Sequence, residues 1–269
     1  MKSVFVSILC LASLAFGADL EALLKDARAY HDGKLAKIED MVLEYTGTFM
    51  GPGGEGAGMK STLTRKGEKW RMEATMNMGG GKMTMNGEEV DAGGGMETTV
   101  LFDGKDMWTS TMGMKMKMPQ DKAMEQMSFT QYWNEPPAGS SLTGEESVNG
   151  RNCYVVIYPE NDVTEAPSKM WIDKEWYVNV RSESHLSGKV IKTDFSDFKA
   201  VSDGYMIPHK AVVYSGDQKT MDVTITKVEV NQGVEESLFD AASLGGSAMD
   251  MDIEKLMKQA EEMQKQYGK

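Results

Sequence analysis

The sequence predicts a mainly β protein of the α+β type, built on antiparallel strands. From about residue 37 onward, short segments rich in Val, Ile, Thr, Tyr and Trp are separated by turn-forming pairs: Lys66-Gly67, Asp103-Gly104, Asn149-Gly150, Ser187-Gly188 and Asp203-Gly204. Most neighbouring segments have no helical stretch of crossover length between them, and parallel strands would need one. The spacing therefore indicates an antiparallel meander.

The N-terminus has the features of a cleaved export signal. Lys2 precedes an uncharged apolar stretch from Val4 to Phe16, and Ala15-Phe16-Gly17 offers the small-x-small pattern that signal peptidase requires. The stretch is shorter than the roughly 20 apolar residues that span a membrane. We predict a signal peptide over residues 1–17 and a soluble, periplasmic mature chain.

Charge and cysteine usage restrict the class of partner. The 269-residue chain has a formal net charge of −12, and loss of Lys2 with the signal peptide makes the mature charge −13. Phosphate backbones would be repelled, so no nucleic acid partner is expected. Loss of Cys10 leaves Cys153 as the remaining cysteine, which excludes an internal disulfide. Cys153 lies in an apolar run and is expected to point into the core.

A first helix is predicted immediately after the signal peptide. Asp19 can cap its N-terminus and Gly33 can end it. Between them, apolar residues recur three and four positions apart, which gives one stripe to bury: Leu20, Leu23, Leu24, Ala27 and Tyr30.

Methionines concentrate in the middle of the chain at the two-residue spacing of a β-strand. Thirteen of the 24 methionines fall between Met72 and Met127. Since strand side chains alternate between faces, each evenly spaced set lies on one side of a sheet. Two tryptophans have the same parity as the methionines that follow them. The predicted ligand-binding face consists of Trp70, Met72, Met76, Met78, Met83, Met85, Trp108, Met112, Met114, Met116 and Met118.

Three interpretations of this face remain open. Methionine is flexible and polarizable, which suits a surface that repacks around variable apolar partners, such as the acyl chain of a lipid or lipoprotein. Alternatively, the methionines fill the core of a sheet. A third interpretation is ligation of Cu(I) by the thioethers.

Catalysis is not predicted. The chain has three histidines, and neither a Gly-x-Ser-x-Gly elbow nor a His-Glu-x-x-His pair occurs. The carboxylates are numerous but scattered, as on a solvated acidic surface. We predict a protein that is not an enzyme and has no cofactor.

The C-terminal third resembles a known superfamily. The resemblance is carried by strand and turn motifs, which are Lys169-Met170-Trp171-Ile172-Asp173-Lys174-Glu175, Val180-Arg181-Ser182-Glu183, Thr193-Asp194-Phe195-Ser196-Asp197-Phe198, Asp203-Gly204-Tyr205-Met206-Ile207-Pro208-His209 and Leu238-Phe239-Asp240. They are similar to the periplasmic outer-membrane lipoprotein-sorting superfamily, with its LolA/LolB-like and RseB-like members.

The resemblance implies an open antiparallel half-barrel of the LolA-like type over residues 18–240, with a few helices covering the concave face. Carriers of this superfamily move lipoproteins, and other members sense envelope components. The expected function is therefore a periplasmic lipid or lipoprotein carrier or chaperone. A non-catalytic envelope sensor or scaffold that binds a protein partner is the alternative. Residues 241–269 are predicted to form a linker and a C-terminal amphipathic helix.

Overall fold

The computed structural model describes residues 12–50, 56–77, 82–85, 88–91, 95–118, 136–159, 167–186, 188–245 and 247–248. Within these residues the chain forms helix α1 (Ala12–Leu35) and sixteen strands. Met78 and the predicted C-terminal helix lie outside the described residues. The predicted fold class, mainly β and antiparallel with a helical contribution, is confirmed.

The strands alternate with short turns along the chain. They are β1 (Asp40–Phe49), β2 (Gly58–Lys66), β3 (Lys69–Asn77), β4 (Lys82–Met85), β5 (Glu88–Asp91), β6 (Met96–Phe102), β7 (Met107–Thr111), β8 (Met114–Met118), β9 (Ser141–Val148), β10 (Arg151–Ile157), β11 (Pro167–Asp173), β12 (Asn179–Leu186), β13 (Lys189–Ala200), β14 (Met206–Ser215), β15 (Gln218–Val230) and β16 (Ser247–Ala248). Three short 3₁₀ helices occupy Ser202–Gly204, Glu236–Phe239 and Ala241–Ser243.

The chain divides into two compact units. The first unit comprises Met1–Ile38 and Phe129–Ile225, and the second comprises Glu39–Ser128 and Thr226–Lys269. Strand order in the first unit is β15-β14-β13-β12-β11-β10-β9. In the second unit it is β16-β8-β7-β6-β3-β2-β1, and β4 and β5 form a separate two-stranded ribbon. The short β16 pairs with β8 in parallel.

Helix α1 covers one face of the sheet in the first unit. Leu20, Leu23 and Leu24 pack against side chains of β9, β10 and β11, including the fully buried Val156 and Ile172. The predicted apolar stripe is therefore confirmed. Two boundaries differ from the prediction, because the helix begins at Ala12 and ends at Leu35.

The helix boundaries have local causes. The apolar residues before Asp19 are compatible with helix and continue it toward the N-terminus, so Asp19 lies inside the helix and is not its cap. At the other end, Lys34 Nζ donates a hydrogen bond to the Asp203 carbonyl over 2.8 Å. This contact holds the last turn, and Gly33 is accommodated inside the helix at a cost of about 1 kcal/mol.

The predicted turns adopt the backbone conformations that their residues favour. Asn149 and Gly150 join β9 to β10 with φ angles of 53° and 78°, as a two-residue type I′ hairpin requires. Cys153 on β10 is fully buried, as predicted. No helix in the described part of the chain is both long and apolar enough to cross a membrane.

Candidate ligand-binding face

One side of the sheet in the second unit is rich in methionine. Residues directly opposite one another on paired strands project to the same side, so the pairing registers of β1, β2, β3, β6, β7 and β8 define that side. We call this side the methionine face. Its methionines are Met41, Met59, Met72, Met76, Met96, Met107, Met114, Met116 and Met118.

Aromatic and aliphatic side chains accompany the methionines on this face. Trp70 stacks on Phe102 from the neighbouring strand, with ring centroids 6.3 Å apart and an angle of 24° between the planes. The Tyr45 hydroxyl donates a hydrogen bond to the Met72 sulfur over 3.3 Å. Val100 lies opposite Met72 on β6. Thioethers and aromatic rings in contact form an apolar surface that can adapt its shape.

Most of these methionines are not sealed in a core. Met41 and Met107 are buried, with 9% and 6% of their surface exposed. The other seven are partly exposed. The face therefore offers thioether and aromatic surface that an apolar ligand can contact.

Two predicted members of the face lie elsewhere. Met112 and Gly113 form a two-residue turn between β7 and β8, with φ angles of 51° and 75°. Such a turn pairs odd-numbered residues with even-numbered ones, so Trp108 lies opposite Lys117 and faces away from Met116. The prediction that Trp108 and Met112 share a face with the later methionines is therefore wrong. Gly113 was the sequence signal for this turn, and it was missed because it lies between two segments with the two-residue spacing of a strand.

Trp108 instead stabilises the opposite side of the same sheet. Lys115 Nζ and Lys117 Nζ lie 5.2 and 5.6 Å from the centre of its ring, and its indole N–H donates to Asp103 over 3.2 Å. Its ring packs against the cluster of Leu101, Phe239 and Leu244. These contacts hold Trp108 on the side of the sheet opposite the methionine face.

The segment after β15 covers part of this opposite side. Arg71 donates to the Leu238 carbonyl over 3.1 Å and to Ser243 Oγ over 2.8 Å. Leu244 is 4% exposed, so the chain at 241–244, predicted as the start of a linker, packs on the sheet. The same side also has a polar concavity of about 480 Å³, lined mainly by threonine and glutamate.

A buried aspartate fixes the start of that segment. The Asp40 carboxylate accepts hydrogen bonds from the N–H groups of Gln232, Gly233 and Val234 over 2.9, 2.9 and 3.2 Å. Burial by itself would raise the pKa of Asp40, but these donors and the charge of Lys66 outweigh it, and the pKa lies below its usual value. The carboxylate is therefore ionised at neutral pH.

The remaining predicted residues fall into two groups. Trp70, Met72, Met76, Met114, Met116 and Met118 lie on the methionine face. Met83 and Met85 belong to β4, which pairs with β5 in the separate ribbon. Sequence reasoning missed Met41, Met59, Met96 and Met107, which strand register brings to the same face.

Comparison with solved structures shows the fold. A domain named for outer-membrane lipoprotein sorting from Vibrio parahaemolyticus is 14% identical, with 83% of this chain and 96% of that chain covered at a TM-score of 0.56. A DUF1329 family protein from Desulfovibrio piger is also 14% identical, with 84% and 98% covered and a TM-score of 0.55. A LolA superfamily protein from Nitrosomonas europaea is 12% identical, with 81% and 97% covered and a TM-score of 0.52.

Sequence comparison gives two further findings. Comparison with curated proteins gives no significant match. A protein-family model described as "Uncharacterized protein" matches residues 109–245, about half of the chain. The chain therefore belongs to the family that this model describes, and it has the LolA-like fold that its sequence motifs predicted.

Proposed function

We propose that this chain is a periplasmic carrier or chaperone that holds the acyl chain of a lipid or lipoprotein against the methionine face. The observation that carries the proposal is the composition of that face, where nine methionines join aromatic and aliphatic residues on six strands. Seven of those methionines are partly exposed. A flexible, polarizable surface of this kind fits acyl chains of different shape.

The dimensions of the face support an acyl ligand. Trp70 and Met76 lie six residues apart on β3, a distance of about 20 Å along a strand. The hydrocarbon core of a bilayer is about 30 Å thick, so one acyl chain spans about 15 Å. An extended chain therefore fits along the strands.

The free energy of transfer also favours a protein carrier. Each buried CH₂ contributes about 0.8 kcal/mol, so a chain of some fifteen methylenes represents on the order of 12 kcal/mol. A carrier in an aqueous compartment has to recover much of this free energy without holding its ligand irreversibly. Side chains that repack are suited to that requirement.

Two features outside the face agree with this role. Residues 1–17 have the features of an export signal, which would place the mature chain in the periplasm. The fold is shared with a solved domain named for outer-membrane lipoprotein sorting. Likeness at 14% identity supports the fold alone, so the ligand has to be tested directly.

The test compares two neighbouring substitutions on β3. Met76→Asp places a carboxylate on the methionine face, whereas Thr75→Asp places one on the opposite side, between Lys60 and Glu97. We expect binding of cis-parinaric acid, a fluorescent fatty acid, to be lost in the first variant and retained in the second. A thermal melt of each variant reports folding.

The outcomes separate a binding face from a sealed core. Melting near the wild-type temperature with loss of binding in Met76→Asp supports the proposal. Unfolding of Met76→Asp alone would indicate a sealed core, because an unpaired buried charge costs several kcal/mol. Normal binding by a folded Met76→Asp variant would overturn the proposed site.

Cu(I) binding is a second candidate, and one observation favours it. Met59, Met76 and Met96 lie directly opposite one another on three adjacent strands, with neighbouring Cβ atoms about 5 Å apart. Soft thioethers select Cu(I). Changing all three to leucine keeps the face apolar and removes the sulfur atoms. Loss of Cu(I) in an anaerobic competition titration, with fatty acid binding unchanged, would identify this row as a copper site.

A further inference from the structure

We propose that the ligand of the methionine face carries an anionic headgroup and that Arg65 binds it. This inference rests on the proposed function, since it assumes that an acyl chain lies on the face. It adds the chemical class of the ligand, which is an acyl chain ending in a carboxylate or a phosphate.

Arg65 is the one charged side chain on an otherwise uncharged face. It lies on β2, directly opposite Met41 on β1 and Trp70 on β3. Among the described residues that β1, β2, β3, β6, β7 and β8 contribute to this side, no other is acidic or basic. A cation at such a position is hard to explain by packing alone, because apolar neighbours cannot satisfy its charge.

The guanidinium of Arg65 has donors to spare. Its Nε donates to the Gly67 carbonyl over 2.9 Å, and within the described part of the chain it forms no ion pair. Arg71, on the opposite side of the same hairpin, contrasts with it, because both of its terminal nitrogens are engaged and one is paired with Glu73 over 2.8 Å. The terminal nitrogens of Arg65 therefore remain available to a bound anion.

The position of Arg65 suits an amphiphile. It is the second-last residue of β2, next to the turn that contains Gly67, so it lies at the end of the face. The row of Met59, Met76 and Met96 lies about 20 Å away along the strands. A headgroup held by Arg65 at this end would leave its acyl chain to extend over the methionines.

Charge chemistry selects an oxyanion. The guanidinium presents paired N–H donors that match a carboxylate or a phosphate. The net charge of −12 repels anions at long range, but this repulsion is screened beyond about 8 Å at physiological ionic strength. A single cation next to an apolar surface can therefore still bind an anionic amphiphile in preference to a neutral one.

The experiment compares ligands that share one chain and differ in headgroup. The probes are cis-parinaric acid, its neutral methyl ester, and a lysophosphatidate that carries the same polyene chain. Each is titrated by fluorescence against the wild type, Arg65→Gln and Lys60→Gln. Lys60 is the matched control, since it lies on β2 but on the opposite side of the sheet. A thermal melt confirms that each variant is folded.

We expect the wild type and Lys60→Gln to prefer an anionic probe to the ester, and Arg65→Gln to lose at least about tenfold affinity for that probe alone. Whether the acid or the lysophosphatidate shows the larger loss identifies carboxylate or phosphate as the headgroup. Equal affinity of wild type and Arg65→Gln for all three probes would overturn the inference and leave the proposed function intact. Failure of the wild type to bind any probe would overturn the proposed function itself.

Discussion

The two units present the apolar faces of their sheets in different ways. In the first unit, α1 packs on leucine, valine and isoleucine side chains of β9, β10 and β11, and Met170 is the one methionine of that buried cluster. In the second unit, nine methionines share one face and seven of them are partly exposed. In the first unit, branched aliphatic side chains are thus covered by a helix. In the second unit, methionine side chains remain partly exposed.

The difference separates two requirements on an apolar surface. Branched aliphatic side chains have few rotamers and specify one packed arrangement, which contributes stability. Methionine has three rotatable bonds and fills irregular spaces, so it specifies packing poorly and adapts to variable partners. We infer that the cluster under α1 stabilises the fold and that the methionine face is reserved for a ligand.

The largest effect is expected from a substitution in the cluster packed under α1. Leu24 is 3% exposed, and Leu24→Ala should lower the free energy of unfolding by about 2 to 5 kcal/mol, because the cavity under α1 cannot close fully. Met116→Ala removes a partly exposed side chain of similar size and should cost less than about 1 kcal/mol. Urea denaturation followed by circular dichroism measures both. Equal losses would contradict the division of roles between the two units.

A buried ion pair in the first unit gives the next largest effect. Asp173 is 1% exposed and forms an ion pair with Arg151. Its carboxylate also accepts hydrogen bonds from the backbone N–H groups of Glu175 and Trp176 over 2.9 and 2.7 Å. Arg151 also lies over the Trp176 ring, 3.4 Å from its centre. Asp173→Asn should cost about 2 to 3 kcal/mol at neutral pH, less than for a fully buried pair because Arg151 is partly exposed. Asp222→Asn, at a more exposed pair with Lys219, is the control.

The same aspartate predicts a dependence of stability on pH. Burial raises the pKa of Asp173, but Arg151 and the two N–H donors outweigh it, so its pKa lies below the usual value. A lowered folded-state pKa stabilises the fold above the unfolded value of about 3.9, and this contribution is lost as the pH falls through the folded pKa. Acidification below pH ~4 should therefore destabilise Asp173→Asn less than the wild type. Parallel pH profiles would show that the pair does not contribute.

Local sequence patterns predicted the parts of the fold that depend on local spacing. The apolar stripe of α1 and the Asn149-Gly150 hairpin follow from helix and turn periodicities within a few residues. The two-residue spacing of Met114, Met116 and Met118 likewise placed them on one face. The Met112-Gly113 turn was missed because it lies inside an unbroken series of alternating methionines. One turn then reversed the predicted orientation of Trp108.

The rest of the candidate site depends on contacts between distant segments. Met41, Met59 and Met96 each belong to a different strand, and none repeats at a two-residue spacing with another methionine of its own strand. Their meeting is decided by the register of β1, β2, β3 and β6. Arg65 is likewise an ordinary basic residue of β2 in the sequence. Its isolation appears only when the neighbouring strands are aligned.

Oxidation rates compare the accessibility of individual methionines. Hydrogen peroxide converts an accessible thioether to a sulfoxide. Met72, Met76 and Met116 are partly exposed, whereas Met41, Met107 and Met170 are 9%, 6% and 6% exposed. We expect the first group to oxidise several times faster, as measured by peptide mass spectrometry over time, and saturating cis-parinaric acid to slow it. Equal rates in the two groups would show that the partly exposed methionines of the face are no more accessible than the buried ones.

The last prediction is that the Cys153 thiol does not react with a thiol reagent in the folded protein. This thiol is fully buried in the first unit, and burial together with the charge of Asp173 raises its pKa to about 11. At pH ~8 the thiolate is therefore about one part in a thousand, and the sulfur is shielded from reagents as well. Protein that lacks residues 1–17 should not react with Ellman's reagent while folded, and should release one equivalent of thionitrobenzoate after denaturation in guanidinium. Rapid reaction of the native protein would mean that the packed interior around Cys153 opens readily. The contrast between a packed first unit and an accessible methionine face would then fail.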